Sequence, residues 1–159
     1  MQRLHFTNKR IIATLEAWDD YRTHIDSFFY DAGMSPDDRI SFLVAVEEMC
    51  TNIIFYALKD KDPTSFEIEI ISEVFQNADK LVAQVTLVDS GDFFDPTSQS
   101  LADLKEKAKK QKIGGWGIYL ARTKSSDMHY QRIDGHNHVT LVLNYQPTGG
   151  KTYELPNPR

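Results

Sequence analysis

Apolar positions along this chain follow two different periods, and the change between them marks out its elements. From Trp18 to Ala32, Tyr21, Ile25, Phe28 and Phe29 recur at helical spacing, which predicts a helix that stops near Gly33. Ser35-Pro36-Asp37-Asp38 reads as the next helix start. It supplies a capping hydroxyl, a proline suited to the first turn, and two carboxylates that complement the macrodipole. This helix is predicted to run to about Leu58, largely buried through Ile40, Leu43, Val44, Val46, Met49, Cys50, Ile53 and Ile54. Period-two alternation then takes over. Phe66, Ile68 and Ile70 alternate with Glu67 and Glu69, which predicts a half-buried strand from Phe66 to Phe75. Leu81 to Val88 is a second strand, and the turn residues between make the two a hairpin. A last hairpin is predicted from Met128–Ile133 and Val139–Tyr145, turning at Asp134-Gly135-His136-Asn137. Two helices lie between the hairpins, a charged one from Leu101 to Gln111 and a short one from Ile118 to about Lys124. Leu4 to Thr14 is read as one or two short strands around a turn at Asn8.

Together these elements predict an α+β fold, a two-layer sandwich whose mixed, mostly antiparallel sheet carries helices on one face. A length of 159 residues suits one domain, and 41% hydrophobic residues can fill one core. The domain is assigned to residues 1–146, with a flexible tail at 147–159 where Pro147, Gly149, Gly150, Pro156 and Pro158 collect. A net charge of −5 disfavours non-specific nucleic-acid binding. The single cysteine, Cys50, excludes an intramolecular disulfide and suits a reducing compartment. No apolar stretch follows Met1 as a signal peptide requires, and no apolar run is read as reaching the roughly 20 residues of a membrane span. A cytoplasmic location is therefore expected, with neither nucleic acid nor membrane as a direct partner.

Three segments carry candidate chemistry. On the long helix, Glu48 and Asn52 are four residues apart and share one face among apolar neighbours. A buried carboxylate and amide need partners, and a cation with a polyphosphate would supply them: the amide oxygen suits Mg²⁺ and the carboxylate can accept a proton. Next, Asp89 closes an apolar strand and is followed by Ser90 and Gly91. A carboxylate there can accept a hydrogen bond from an exocyclic amine, and Gly91 removes a side chain where a flat base would approach. Last, Gly114-Gly115-Trp116-Gly117 precedes a helix. Glycines in that position leave N–H groups free to cradle phosphates and let the preceding segment move. No Gly-Lys-Ser/Thr follows, so this is not a Walker A loop. Each segment alone is more simply a solvated helix stripe, an ordinary turn or a loop; their joint occurrence in this order is what is specific.

In that order the segments resemble the boxes of the histidine-kinase-like (GHKL, Bergerat-fold) ATPases, and within them those of the bacterial anti-sigma-factor serine/threonine kinases. Val46-Glu47-Glu48-Met49-Cys50-Thr51-Asn52 resembles the N box, and Asp89-Ser90-Gly91 with Phe94-Asp95-Pro96 the G1 box. Gly114-Gly115-Trp116-Gly117-Ile118-Tyr119-Leu120-Ala121-Arg122 resembles the G2 box, and the likeness runs from about residue 10 to residue 145. The resemblance implies a Bergerat-type sandwich that binds ATP and Mg²⁺. It implies Glu48 as general base, Asn52 as magnesium ligand and Asp89 as partner of the adenine amine. It also implies Gly91 in the base pocket, Gly114, Gly115 and Gly117 at the phosphates, and Thr140 as a further adenine contact. The implied activity is transfer of phosphate from ATP to a serine or threonine of a small anti-sigma-factor antagonist. Control of transcription would follow by partner switching with a sigma factor, and a homodimer is compatible with the likeness. A nucleotide-gated binding module without phosphotransfer is the alternative. One departure is Tyr56, where many relatives carry a histidine.

Other residues are read more plainly. Cys50 is a structural thiol, and His136 and His138 are solvent-facing turn residues rather than a metal pair. Lys105, Lys107, Lys109, Lys110 and Lys112 form a solvated helix face or a mobile lid that attracts triphosphate.

Overall fold

The computed structural model describes residues 1–111 and 115–149. Among them the chain runs β1 (Gln2–Ile12), α1 (Leu15–Asp31), α2 (Pro36–Asn52), β2 (Glu67–Asn77), β3 (Lys80–Asp89), α3 (Leu101–Lys110), α4 (Gly117–Thr123), β4 (Asp127–Ile133) and β5 (His136–Tyr145). The strands form one sheet in the order β1-β2-β3-β5-β4. Every neighbouring pair is antiparallel, so the sheet is not mixed as expected. The α1–α2 hairpin explains the first pairing: two helices return the chain to the end it left, and β2 enters opposite to β1.

Ser35 Oγ accepts from Asp38 N at 3.1 Å and Pro36 opens α2, as its sequence predicts. Thr14 caps α1 and Ser100 caps α3 in the same way. The far end of α2 departs from expectation. The helix does reach Ala57, but Ile53–Ala57 form a π-helical turn in which Leu58 N donates to Ile53 O at 2.9 Å. This wider turn lies directly after Asn52 and sets the position of the Ala57 carbonyl.

Strand alternation decides which residues meet the helices. Ile68, Ile70, Val74, Ala83, Val85, Leu87, Val139 and Leu141 face α1, α2 and α4 and share their core with Trp18, Ile25, Phe29, Phe42, Met49 and Ala121. Glu69, Glu73, Gln84, Thr86 and Thr140 have the opposite parity and point away from the helices. Pro36–Ala57, at 22 residues, is long and apolar enough to cross a membrane, which the sequence reading had not found. Its buried residues, among them Phe42, Leu43, Val46, Met49, Cys50 and Ile53, lie in the core, while Ile40, expected to be buried, is exposed, as are Phe55 and Tyr56.

At the N-terminus no turn forms at Asn8. β1 is one strand paired with β2 from Gln2↔Gln76 to Ile12↔Glu67, with an irregularity between Arg3 and His5. Asn8 Nδ2 donates to Glu69 Oε1 at 2.8 Å, so cross-strand pairing overrides its local preference for a turn. After β5, Thr148 N donates to Gly33 O at 2.9 Å, which ties down the start of the expected tail. The rest of that tail, from Gly150, lies outside the described residues.

Candidate functional site

The end of α2, the start of α4 and the loop after β3 meet at one end of the sandwich. Asn52 is buried, and its Nδ2 donates to Glu48 O at 2.8 Å. That bond turns the amide oxygen away from the helix backbone, where it can meet a ligand. Gly117, the first residue of α4, sits against both side chains. A Cβ there would lie 2.7 Å from Glu48 Oε2 and 3.1 Å from Asn52 Nδ2, so only glycine leaves them undisturbed. The first and third motifs, about 65 residues apart in sequence, are thus in contact. Burial raises the Glu48 pKa above the usual carboxylate value, and the neighbouring charge of Glu47 adds to the rise. Arg22 on α1 pairs with Glu47 at 3.2 Å. Cys50 is fully buried, and burial followed by the Glu47 charge pushes its thiol pKa up, which fits a structural role.

Asp89 ends β3 on the helix-facing side and is 3% exposed. Its Oδ1 accepts from Gly91 N at 2.9 Å and from Asn137 Nδ2 at 3.0 Å. Its Oδ2 is buried and has no hydrogen-bond partner. An unpaired buried carboxylate oxygen is costly, and a ligand N–H donor would relieve it. Burial raises the Asp89 pKa, opposed by the Asn137 and Gly91 hydrogen bonds and by the charges of Arg132 and His136. Gly91 answers to a different demand from the one expected. The space its Cβ would fill is taken by Ala57, with the carbonyl oxygen at 2.5 Å, and Asp92 N donates to that same oxygen at 2.8 Å. Glycine is required there by backbone contact with the π turn.

Thr140 is a correction. It pairs with Thr86 across β3 and β5, and the two hydroxyl oxygens lie 2.9 Å apart on the sheet face turned away from the helices. Asp89 has the other parity, so the two side chains leave opposite faces of the sheet. The β5 residue beside Asp89 is Asn137, its register partner, 1% exposed. Sequence reasoning left Asn137 in a turn, although a signal was present. The turn is the two residues Asp134-Gly135, both at positive φ, and counting forward from it puts Asn137 in phase with the core residues Val139 and Leu141. An amide in a core phase marks a buried polar contact. Tyr130 and Arg132, which bond to Asn137, were likewise missed.

The model of the histidine kinase-like ATPase domain matches residues 11–143. The chain belongs to this family. Relatives in it include the serine/threonine-protein kinase BtrW of Bordetella bronchiseptica, 25% identical over 109 residues that cover 69% of this chain and 72% of that protein. The serine-protein kinase RsbW of Bacillus subtilis is 30% identical over 116 residues, 70% of this chain and 66% of that protein. The match thus spans just under two thirds of that kinase's length. Two solved structures share the fold. A chain of the SiaB–SiaC complex from Pseudomonas aeruginosa matches with a TM-score of 0.51 and 16% identity over 91% of each chain. A structure of RsbU and RsbW domains from Mycobacterium tuberculosis matches with a TM-score of 0.59 and 14% identity, over 91% of this chain and 34% of that one.

The remaining motif positions of this histidine-kinase-like ATPase domain divide in two. Gly115 adopts φ +85, where a side chain would be strained and would strike the Gln111 amide. Gly114 and Lys112 lie outside the described residues. Just before them, α3 buries Leu104 and Ala108 and leaves its lysines outward, with Lys109 beside Glu106 at 3.8 Å. Tyr56, at the position of the departure, stacks on Phe94 with ring centroids 5.5 Å apart, which adds a second link from the α2 end to the Asp89 loop. His136 Nδ1 lies 2.9 Å from Asp134 O, and no cluster of three metal-ligating side chains occurs among the described residues.

Proposed function

We propose that this chain binds ATP with magnesium between α2, the Asp89 loop and α4, and transfers the γ-phosphoryl group to a serine or threonine of a small protein partner. The observation that carries this reading is the buried, unpartnered Oδ2 of Asp89, whose need is an N–H donor such as the adenine amine. Magnesium fits the donor set: the Asn52 amide oxygen would hold it, and it would neutralise phosphate charge. Glu48 accepts the proton of the incoming hydroxyl as its oxygen bonds to the γ-phosphorus and the bond to the ADP oxygen breaks. A raised pKa brings Glu48 nearer to the operating pH and makes it a better proton acceptor. Gly115 and Gly117 would line the phosphates, the role that the family resemblance also gives to Gly114. Family membership, and relatives named as serine kinases, support transfer to a protein.

The partner that the family resemblance implies is an anti-sigma-factor antagonist, with a sigma factor as its competitor for this chain, in a cytoplasmic switch that a homodimer would serve. Calorimetric titration with ATP and Mg²⁺ tests the pocket. Wild type is expected to bind with a Kd of about 1 μM to 1 mM, in the usual range for an enzyme substrate, and Asp89→Asn to lose that binding. Transfer to a candidate antagonist tests the chemistry, and Glu48→Gln is expected to bind ATP and fall about 100-fold or more in rate. ATP binding without transfer to any antagonist would favour a nucleotide-gated binding module. Unchanged affinity in Asp89→Asn would overturn the pocket.

A further inference from the structure

We propose that Asn137, braced by Tyr130 and Arg132, is a positioning residue that makes the pocket select a purine with an amino group at its 6-position over one with an oxo group. The proposal rests on the nucleotide reading of the Asp89 pocket and adds to it the device that sets its polarity.

Asn137 uses all of its polar capacity. Nδ2 donates to Asp89 Oδ1 at 3.0 Å and to Asp92 O at 2.8 Å. Its Oδ1 accepts from Tyr130 Oη at 2.6 Å, from Arg132 Nη1 at 2.8 Å and from Phe94 N at 3.4 Å. The amide cannot be reversed. Reversal would set its oxygen against a carboxylate oxygen and a carbonyl, and its NH₂ against a guanidinium. Arg132 Nη1 also reaches Gly91 O at 3.1 Å, so β4 and β5 together hold the loop at Gly91, Asp92 and Phe94.

One oxygen of Asp89 is therefore saturated from within, by Gly91 N and Asn137 Nδ2, and the other is left for the ligand. The same donors favour the ionised carboxylate against its burial. Arg132 on β4 and His136 on β5 act in the same sense, while the Asp92 carboxylate is drawn to Lys61 at 3.5 Å. An ionised Oδ2 only accepts hydrogen bonds. It takes the N–H of a 6-amino group and repels the oxygen of a 6-oxo group. Without Asn137 the buried carboxyl gains a proton more readily and its plane is free to turn. It can then donate to a 6-oxo group, and the discrimination fails.

The test is titration of the full chain, with magnesium, using ATP and inosine triphosphate, whose base has an oxo group in place of the 6-amino group and a proton on N1. Wild type is expected to prefer ATP by roughly 10- to 100-fold, the effect of leaving a buried polar group unpaired. Asn137→Ala is expected to reduce that preference to within about 3-fold. Tyr130→Phe and Arg132→Met each remove one brace and leave Asn137 itself in place, so they carry the test if Asn137→Ala does not fold. Each is expected to lower the preference severalfold, and Arg132→Lys to restore most of it. Variants that lose both nucleotides in equal proportion, or that keep the wild-type preference, would overturn the positioning role. Wild type that binds ATP and loses it in Asp89→Asn, with the preference unmoved in the other variants, would overturn this proposal alone. Wild type that binds neither nucleotide would overturn the nucleotide reading and this proposal with it.

Discussion

Gly91→Ala tests how the site is built, because its cost follows from contacts with backbone. The added Cβ would lie 2.5 Å from Ala57 O, 2.7 Å from Ala57 C and 2.9 Å from Ala57 Cβ, where ordinary contact begins at 3.4 Å. The loop and the π turn must separate by about 0.9 Å (3.4 − 2.5) to admit it. Neither side yields easily. Leu58 N is bonded back to Ile53 O within the turn, and Asn137 and Arg132 hold the loop by the Asp92 and Gly91 carbonyls. Overpacking of this kind costs about 1–3 kcal/mol. For a chain of this length each kcal/mol lowers Tm by about 2–4 °C, so a cost near 2 kcal/mol gives a fall of about 4–8 °C. The displaced loop carries Asp89, and ATP affinity should fall about 10-fold, as for loss of one well-aligned hydrogen bond to a charged group. Thermal unfolding and calorimetric titration read the two effects. Adding Ala57→Gly removes only the contact at 2.9 Å and leaves the carbonyl in place, so it should recover less than half of the loss. If Gly91→Ala melts within about 1 °C of wild type and binds ATP unchanged, far below the expected shift, the close approach does not set the loop and the reasoning fails.

Gly117→Ala should behave differently, because its Cβ meets the ends of the Glu48 and Asn52 side chains rather than backbone. Its Tm should move by no more than about 2 °C, while phosphoryl transfer falls about 100-fold because a displacement near 1 Å misplaces the base. An active variant would remove Glu48 from that role. The folded-state pKa of Asp89 is raised, so the stability it contributes is fully present below its ordinary value of 3.8 and is lost as pH rises through the folded value. Unfolding measured from pH 3 upward should therefore show Asp89→Asn gaining on wild type as pH rises across that window, and a constant difference would contradict the assigned burial cost. Ser35→Ala removes the cap of α2 and should lower stability by about 1 kcal/mol without changing ATP affinity; denaturant unfolding measures it.

Much of this protein is local, and local features are legible in the sequence. The hydroxyl-proline-carboxylate start of α2, the alternation of β2 and the two-residue turn between β4 and β5 each follow from a few neighbouring residues. The three motifs could be recognised for the same reason, since Glu48 and Asn52 share a face by helix geometry alone and the glycines stand out by type. Tertiary structure decided the rest. It made β1 one strand, because pairing with β2 outweighs the turn preference of Asn8. Close contact set the use of two glycines, Gly91 against the Ala57 carbonyl and Gly117 against Glu48 and Asn52, and no property of a glycine in sequence says what it will touch. Strand register separated Thr140 from the site and brought Asn137 into it. A side chain's face depends on its phase from the turn, and its partner depends on which strand lies alongside, here β3, far away in sequence and supplied only by the fold.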